Sequence, residues 1–288
     1  AKIGDFIKDE LSTSLDDIFN DINGYMFGKL GVDLNHAYID GTKIEANANK
    51  YTWVWKKSCI KSRNNVFGKL SALLEDINAY MALYQRAVFE VRQEYAIEYV
   101  EYILGTFLNA AGMTVEDFVH GKGKHKTAIQ RLYEKVYDCF KKLKSYAQKI
   151  EICGEDRNSY SKTDNDATFM RFKKDHMKND QLLPGYNLQM VVCDEFIAHY
   201  GVYAYASDTD CFEPLMEGFK KRYGFYPQYP VADAGYGSYI NYLYCEQHGM
   251  EKYMKFTMYE KDTKESKYRD NPYRACNFAI DHEGYMVC

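Results

Sequence analysis

The chain lacks most of the features that assign a protein to a class at a glance. None of its eight cysteines forms a CxxC pair, and the amino end, AKIGDFIKDELSTSLDD, has no secretory signal. Thiols scattered in this way suit a reducing cytoplasm and argue against a disulfide framework or a paired-cysteine zinc site. Proline is scarce at five residues and tryptophan at two. No apolar run approaches the roughly 20 residues of a membrane span, so no membrane partner is expected. Net charge is small, −4 with a pI near 6.0, so the chain as a whole lacks the basic footprint usual in nucleic-acid binders.

What is present is an ordinary globular composition, 46% hydrophobic and 27% charged over 288 residues, with an excess of tyrosine at 28. That length supports one large domain or two modest ones. Tyrosines fill half-buried surfaces and also stack on bases or bond to phosphates. Charge is uneven along the chain. Residues 122–149 hold Lys122, Lys124, Lys126, Arg131, Lys135, Lys141, Lys142, Lys144 and Lys149 against only Glu134 and Asp138. Such a stretch is either a solvated helix face or a surface that gains affinity for phosphates by releasing counterions.

Periodicity divides the chain. Residues 1 to about 30 read as helix, with Phe6, Ile7, Leu11, Leu15, Ile18 and Phe19 at spacings of three and four, and Ser14 placed to cap a second stretch. His36 to Asp40 switches to a strand pattern. From about Asn65 to Ala111 the pattern is helical, including a run from Val88 to Leu108, and Gly112 is a helix stop. After the basic connector HGKGKHK another helix is expected from Thr127 to about Ile152, so the whole block reads as a helical insertion. Ser159 to Asp166 reads as a polar loop. Tyr186–Cys193 and Phe196–Tyr205 form a hairpin around Asp194-Glu195. A helix over Cys211–Tyr223, a strand over Tyr229–Ala232, a helix over Ser238–His248 and a short strand over Tyr253–Phe256 follow. The expected organisation is an N-terminal helical segment (1–33), a first strand region (34–58), the insertion (59–155) and the remainder of an α/β domain (156–288). Together these give a mixed sheet flanked by helices.

Two segments carry the chemistry. YIDGTKIEANANKY places Asp40 after a short apolar run and before a turn at Gly41; YPVADAGYGS places Asp233 after Pro230, Val231 and Ala232. Aspartates that close strands are suited to divalent metal, because hard cations take carboxylate oxygens and keep several waters. Either Asp-Gly or Asp-Ala-Gly taken alone is also ordinary turn chemistry. Lys43, Asn47 and Asn49 follow Asp40 and could touch phosphate, and Lys173, Lys174 and Lys178 form a second basic loop. Asp166, Asp208 and Asp210 read as capping or hydrogen-bonding residues.

DGTKIEANANKY, DATFMRFKKDHMKNDQLLPGYNLQMVV, SDTD and ADAGY, in this order, resemble the DDE transposases of bacterial insertion sequences. The resemblance covers about 36–58 and 161–256. It implies a ribonuclease-H-like α/β fold, with Asp40 and Asp233 as catalytic metal ligands for two Mg²⁺ or Mn²⁺ ions and double-stranded DNA as the partner. It further implies strand cleavage and strand transfer at element ends, a homodimer on paired ends, and a cytoplasmic, nucleoid-associated bacterial protein. Lys43, Lys122, Lys124, Lys126, Arg131, Lys173, Lys174 and Lys178 are the expected DNA contacts. The family's third catalytic residue, a glutamate in a tyrosine–arginine–glutamate–lysine signature, has no match after Asp233. The expectation is therefore a fragment lacking both ends, inactive without that glutamate. The alternatives are an inactive DNA-binding remnant and a magnesium-dependent phosphatase. The phosphatase would need an aspartate where Tyr38 stands.

Overall fold

The computed structural model describes residues 2–83, 86, 88–172 and 181–287; Lys173, Lys174 and Lys178 lie outside them. In chain order the elements begin with helices α1 (Lys2–Phe6) and α2 (Leu15–Leu30), strands β1 (His36–Glu45) and β2 (Trp53–Trp55), and helices α3 (Lys56–Leu83), α4 (Ile97–Ala110) and α5 (Ala128–Cys153). Next come β3 (Ser159–Ser161), β4 (Thr168–Met170), β5 (Leu183–Cys193), β6 (Phe196–Tyr203), α6 (Phe212–Tyr223), β7 (Tyr229–Ala232), α7 (Tyr239–Gln247) and β8 (Tyr253–Met254). The short helices α8 (Tyr259–Lys264) and α9 (Ser266–Arg269) precede a last small hairpin. The chain separates into two units, residues 1–46, 170–181 and 185–288, and residues 47–169 and 182–184.

The first unit is built on a mixed sheet. β6 pairs antiparallel with β5, β5 antiparallel with β1, β1 parallel with β7, and β7 parallel with β8. This is the helix-flanked mixed sheet expected of a ribonuclease-H-like domain. The β5–β6 hairpin turns at Asp194 and Glu195, with φ of 45° and 70°, the left-handed pair that a two-residue turn requires. One face of the sheet is the core. Ala37, Ile39, Val191, Cys193 and Ala198 are buried there with Phe212, Leu215, Met216 and Phe219 of α6. These helical positions recur at spacings of three and four, so α6 presents one apolar stripe, each side chain stabilising by about 1.5–3 kcal/mol on burial. Gly224 at φ 85° ends α6, as a left-handed terminator.

His199 of β6 lies within this core at 7% exposure, its Nδ1 without a hydrogen-bond partner. Burial, reinforced by the nearby Arg222 charge and opposed by Asp16, pushes its pKa down to about 4. The folded state therefore binds this proton less readily than the unfolded chain. Stability from His199 is complete above about pH 6.5 and is lost as pH falls toward 4. We expect the urea midpoint to drop by the equivalent of roughly 2–3 kcal/mol across that window. The His199→Gln difference curve, which cancels the carboxylates common to both proteins, isolates this component.

The second unit is chiefly helical. Leu70, Leu74, Ile77 and Met81 of α3 pack with Val100, Ile103 and Phe107 of α4 and with Val136, Phe140 and Leu143 of α5. Thr127 caps α5, its Oγ1 accepting from the Gln130 amide at 3.1 Å. Two local readings of the sequence change here. Residues 88–96, expected to be helical, form an irregular connection. Asn78 holds it there, donating to the Phe89 carbonyl and accepting from its amide at 2.7 Å each, while the Tyr95 hydroxyl accepts from Arg92 N at 3.0 Å. Side-chain amides thus take over the bonds that a helix would supply. Ser159–Ser161, expected in a polar loop, is a buried strand paired with Trp53–Trp55. Among the described residues no helix is long and apolar enough to cross a membrane.

Candidate active site

Asp40 is the fifth residue of a ten-residue strand, so the turn expected after it is absent and β1 runs on to Glu45. The reason is Gly41. A Cβ at that position would lie 2.1 Å from Nε2 and 2.7 Å from Cδ of Gln189, its register partner on β5. The glycine therefore lets a buried glutamine cross the strand, a close approach that no other residue permits.

The register of β1 with β7 runs from His36↔Tyr229 to Ile39↔Ala232. One residue beyond the last registered pair stand Asp40, still within β1, and Asp233, just past the end of β7; the two parallel strands lie about 4.8 Å apart. Alternation puts Ala37 and Ile39 in the core and Tyr38 and Asp40 on the open face. Both aspartates are exposed. Asp40 Oδ1 accepts from the Gly41 amide at 2.8 Å and Asp233 Oδ1 from the Gly235 amide at 2.7 Å. Neither carboxylate has a basic partner among the described residues.

Behind the pair lies a polar network that periodicity alone does not reveal. Asn187 and Gln189, both fully buried, donate to Asp208 Oδ1 at 2.8 and 3.1 Å. Gln189 Nε2 also donates to Asn187 Oδ1 at 2.8 Å, and its Oε1 accepts from the Tyr236 hydroxyl. Burial first, then the charges of Asp208, Asp40 and Asp233, push the Tyr236 pKa far above its ordinary value. Its hydroxyl consequently stays protonated and donating. Thr209 Oγ1 donates to the Gly235 carbonyl at 2.8 Å. Asn241 Nδ2 donates to the carbonyls of Tyr236 and Thr209 at 2.8 and 3.0 Å. The turn after Asp233 is thus pinned from β5, from the segment before α6 and from α7. Asp208 has the hydrogen-bonding role that its sequence context suggests, and it exercises that role beside the two aspartates.

The other expected site residues are dispersed. Lys43 is half-buried on the Ile39 face of β1, opposite Asn187 and on the other side of the strand from Asp40. Lys122, Lys124, Lys126 and Arg131 are exposed in the second unit, with Lys126 paired to Glu134 at 2.6 Å. Lys141, Lys144 and Lys149 lie over the rings of Tyr137, Phe140 and Tyr146, so part of the basic helix is held against its own aromatic neighbours. An open cavity of about 1000 Å³ is lined by Asp233, Tyr242, Lys255, Phe256 and Glu260, without Asp40. Glu260 is itself paired with Lys264 at 3.5 Å.

Chemically, two exposed carboxylates, one on β1 and one just past the end of β7, without a neutralising lysine or arginine among the described residues, fit a divalent cation that takes oxygen ligands and keeps part of its water shell. The candidate donor set is these two aspartates. Among the described residues, no group of three or more histidine, cysteine, aspartate or glutamate side chains is arranged to hold a metal. Residues 157–282 match the family model described as Transposase DDE domain, a span that includes Asp208 and Asp233 and stops short of Asp40. No curated protein and no solved structure matches the chain.

Proposed function

We propose, on the match of residues 157–282 to the transposase DDE domain model, a metal-dependent enzyme that breaks and rejoins DNA strands at the ends of an insertion sequence. Asp40 and Asp233 are its metal-binding pair. The single observation behind this reading is the β1–β7 register, whose last pair, Ile39↔Ala232, immediately precedes Asp40 and Asp233 although the polypeptide separates them widely. Magnesium or manganese, held as two ions, would neutralise phosphate charge and lower the pKa of the attacking water or 3′-hydroxyl. The chain's own work is orientation. Backbone amides of Gly41 and Gly235 each hold one oxygen of an aspartate. The Gln189–Asp208–Tyr236 network keeps the Asp233 turn in place. A third carboxylate, expected on a later helix by the family pattern, would complete the site, and two copies would act on paired ends.

One observation favours a second reading, a DNA-binding remnant without catalysis: the donor set among the described residues stops at two carboxylates. Labelled DNA carrying the element's ends separates the two. The enzyme nicks it in Mg²⁺ or Mn²⁺, leaves a 3′-hydroxyl, and stops in excess EDTA. Retention of the DNA without any nicking in either metal rejects the enzyme and leaves the remnant.

A further inference from the structure

The second unit contains a cleft that the catalytic reading does not use. It has a volume of about 300 Å³, and Trp53, Trp55, Ser62, Tyr146, Lys149 and Lys162 are among the residues that line it. Its wall is unusual for this chain. Both tryptophans of the sequence are there, two positions apart on β2 and therefore on the same side of the strand. Phe169 steadies the two indoles, 6.1 Å from the Trp53 ring and 6.3 Å from the Trp55 ring. Trp53 nevertheless remains 46% exposed, a large apolar face left to water. Among the described residues no carboxylate lines the cleft. Lys149 is held 5.4 Å from the Tyr146 ring centre, and among the described residues neither Lys149 nor Lys162 has an acidic partner.

One exposed and one half-buried indole beside unneutralised ammonium groups match one ligand chemistry well, a flat ring carried on a phosphodiester. A base stacks on an indole whatever its identity, and lysine supplies charge to the phosphate without fixing sequence. In duplex DNA the base faces are covered by their neighbours, so a recessed aromatic wall can engage them only where the strands are separated. We propose that this cleft binds an unpaired DNA segment, seating a base against the tryptophan wall with its phosphate between Lys149 and Lys162. The proposal rests on the DNA-strand reading of the protein but not on the aspartate pair, because every residue it uses belongs to the second unit.

The tryptophans make the cleft its own reporter. With the full chain in EDTA, a short single-stranded oligonucleotide should quench tryptophan emission saturably, and added salt should weaken the effect. Lys149→Ala with Lys162→Ala should raise the apparent Kd roughly tenfold or more without changing the thermal midpoint. Trp53→Ala should weaken binding roughly tenfold, measured by anisotropy of a labelled strand. A duplex of the same sequence should quench far less, and inorganic phosphate not at all. Equal quenching by duplex, quenching by phosphate alone, or strand binding that leaves the emission and both variants unchanged overturns the proposal. Asp233→Asn should bind the strand as the parent does. Normal strand binding by a protein whose cleavage ignores Asp233 would retain the cleft and discard the aspartate site.

Discussion

Asp233→Asn is expected to lower metal-dependent cleavage of element-end DNA on the order of a thousandfold while the protein stays folded. The size follows from what the metal pair supplies, several kcal/mol of charge stabilisation in the transition state, at 1.36 kcal/mol per tenfold in rate. The selectivity follows from the setting. Asp233 is exposed, and asparagine retains the oxygen that accepts from the Gly235 amide, so folding loses little. In the absence of metal the variant should be as stable as the parent or slightly more so, because one of two adjacent uncompensated negative charges has gone. Added Mg²⁺ or Mn²⁺ should raise the thermal midpoint of the parent, since a ligand that binds only the folded state stabilises it by mass action, and should leave the variant unmoved. Asp40→Asn should behave alike on both counts. If Asp233→Asn still cuts and joins end DNA, or still gains the same metal-induced rise, the pair is not the metal site.

The second large effect is on stability. Gly41→Ala adds one methyl group, but the new Cβ would stand 2.1 Å from Nε2 of Gln189, which is completely buried and bonded to Asn187, Asp208 and Tyr236. The glutamine cannot yield without breaking those bonds. Overpacking of this kind costs about 1–3 kcal/mol, and each buried polar group left unpaired adds about 1–3 kcal/mol. A loss of roughly 3–4 kcal/mol is expected from the urea midpoint, with the dependence on denaturant unchanged. Gln189→Ala combined with Gly41→Ala should recover part of it, as the collision partner is then gone. A Gly41→Ala protein as stable as the parent would mean that Gln189 does not cross the strand here.

Much of this arrangement is legible in the sequence. The strand Tyr229–Ala232 and the helix that follows Ser238 follow from local pattern, because their apolar spacing and their capping serine act within a few residues. The Asp194-Glu195 reversal is legible for the same reason, two polar residues between β-rich runs. Asp40 and Asp233 are legible as candidates because each follows a short apolar run. Features set by distant residues are not. Asp40-Gly41 has the composition of a turn, and only Gln189, arriving from far along the chain, makes it the middle of a strand. Asn187 and Gln189 look like surface residues of an alternating strand. They are buried because Asp208 and Tyr236 complete their bonding, a condition no local window contains. The same limit explains residues 88–96, where Asn78 overrides helical spacing, and the buried Ser159–Ser161 strand, whose partner is Trp53–Trp55.

The strand order also sets a schedule for synthesis. β1 is the middle of its sheet, yet both strands that flank it, β5 and β7, emerge only after the entire helical unit has been made. At a ribosomal pace of roughly 5–20 residues per second that delay is on the order of ten seconds. Throughout it, the segment bearing Asp40 has open edges on both sides, the state most prone to mispairing with other chains. The helices, by contrast, close through near-neighbour contacts and can consolidate during the wait. Slow or interrupted translation between Glu45 and Leu183 would therefore lower the yield of soluble protein more than an equal pause after Met254.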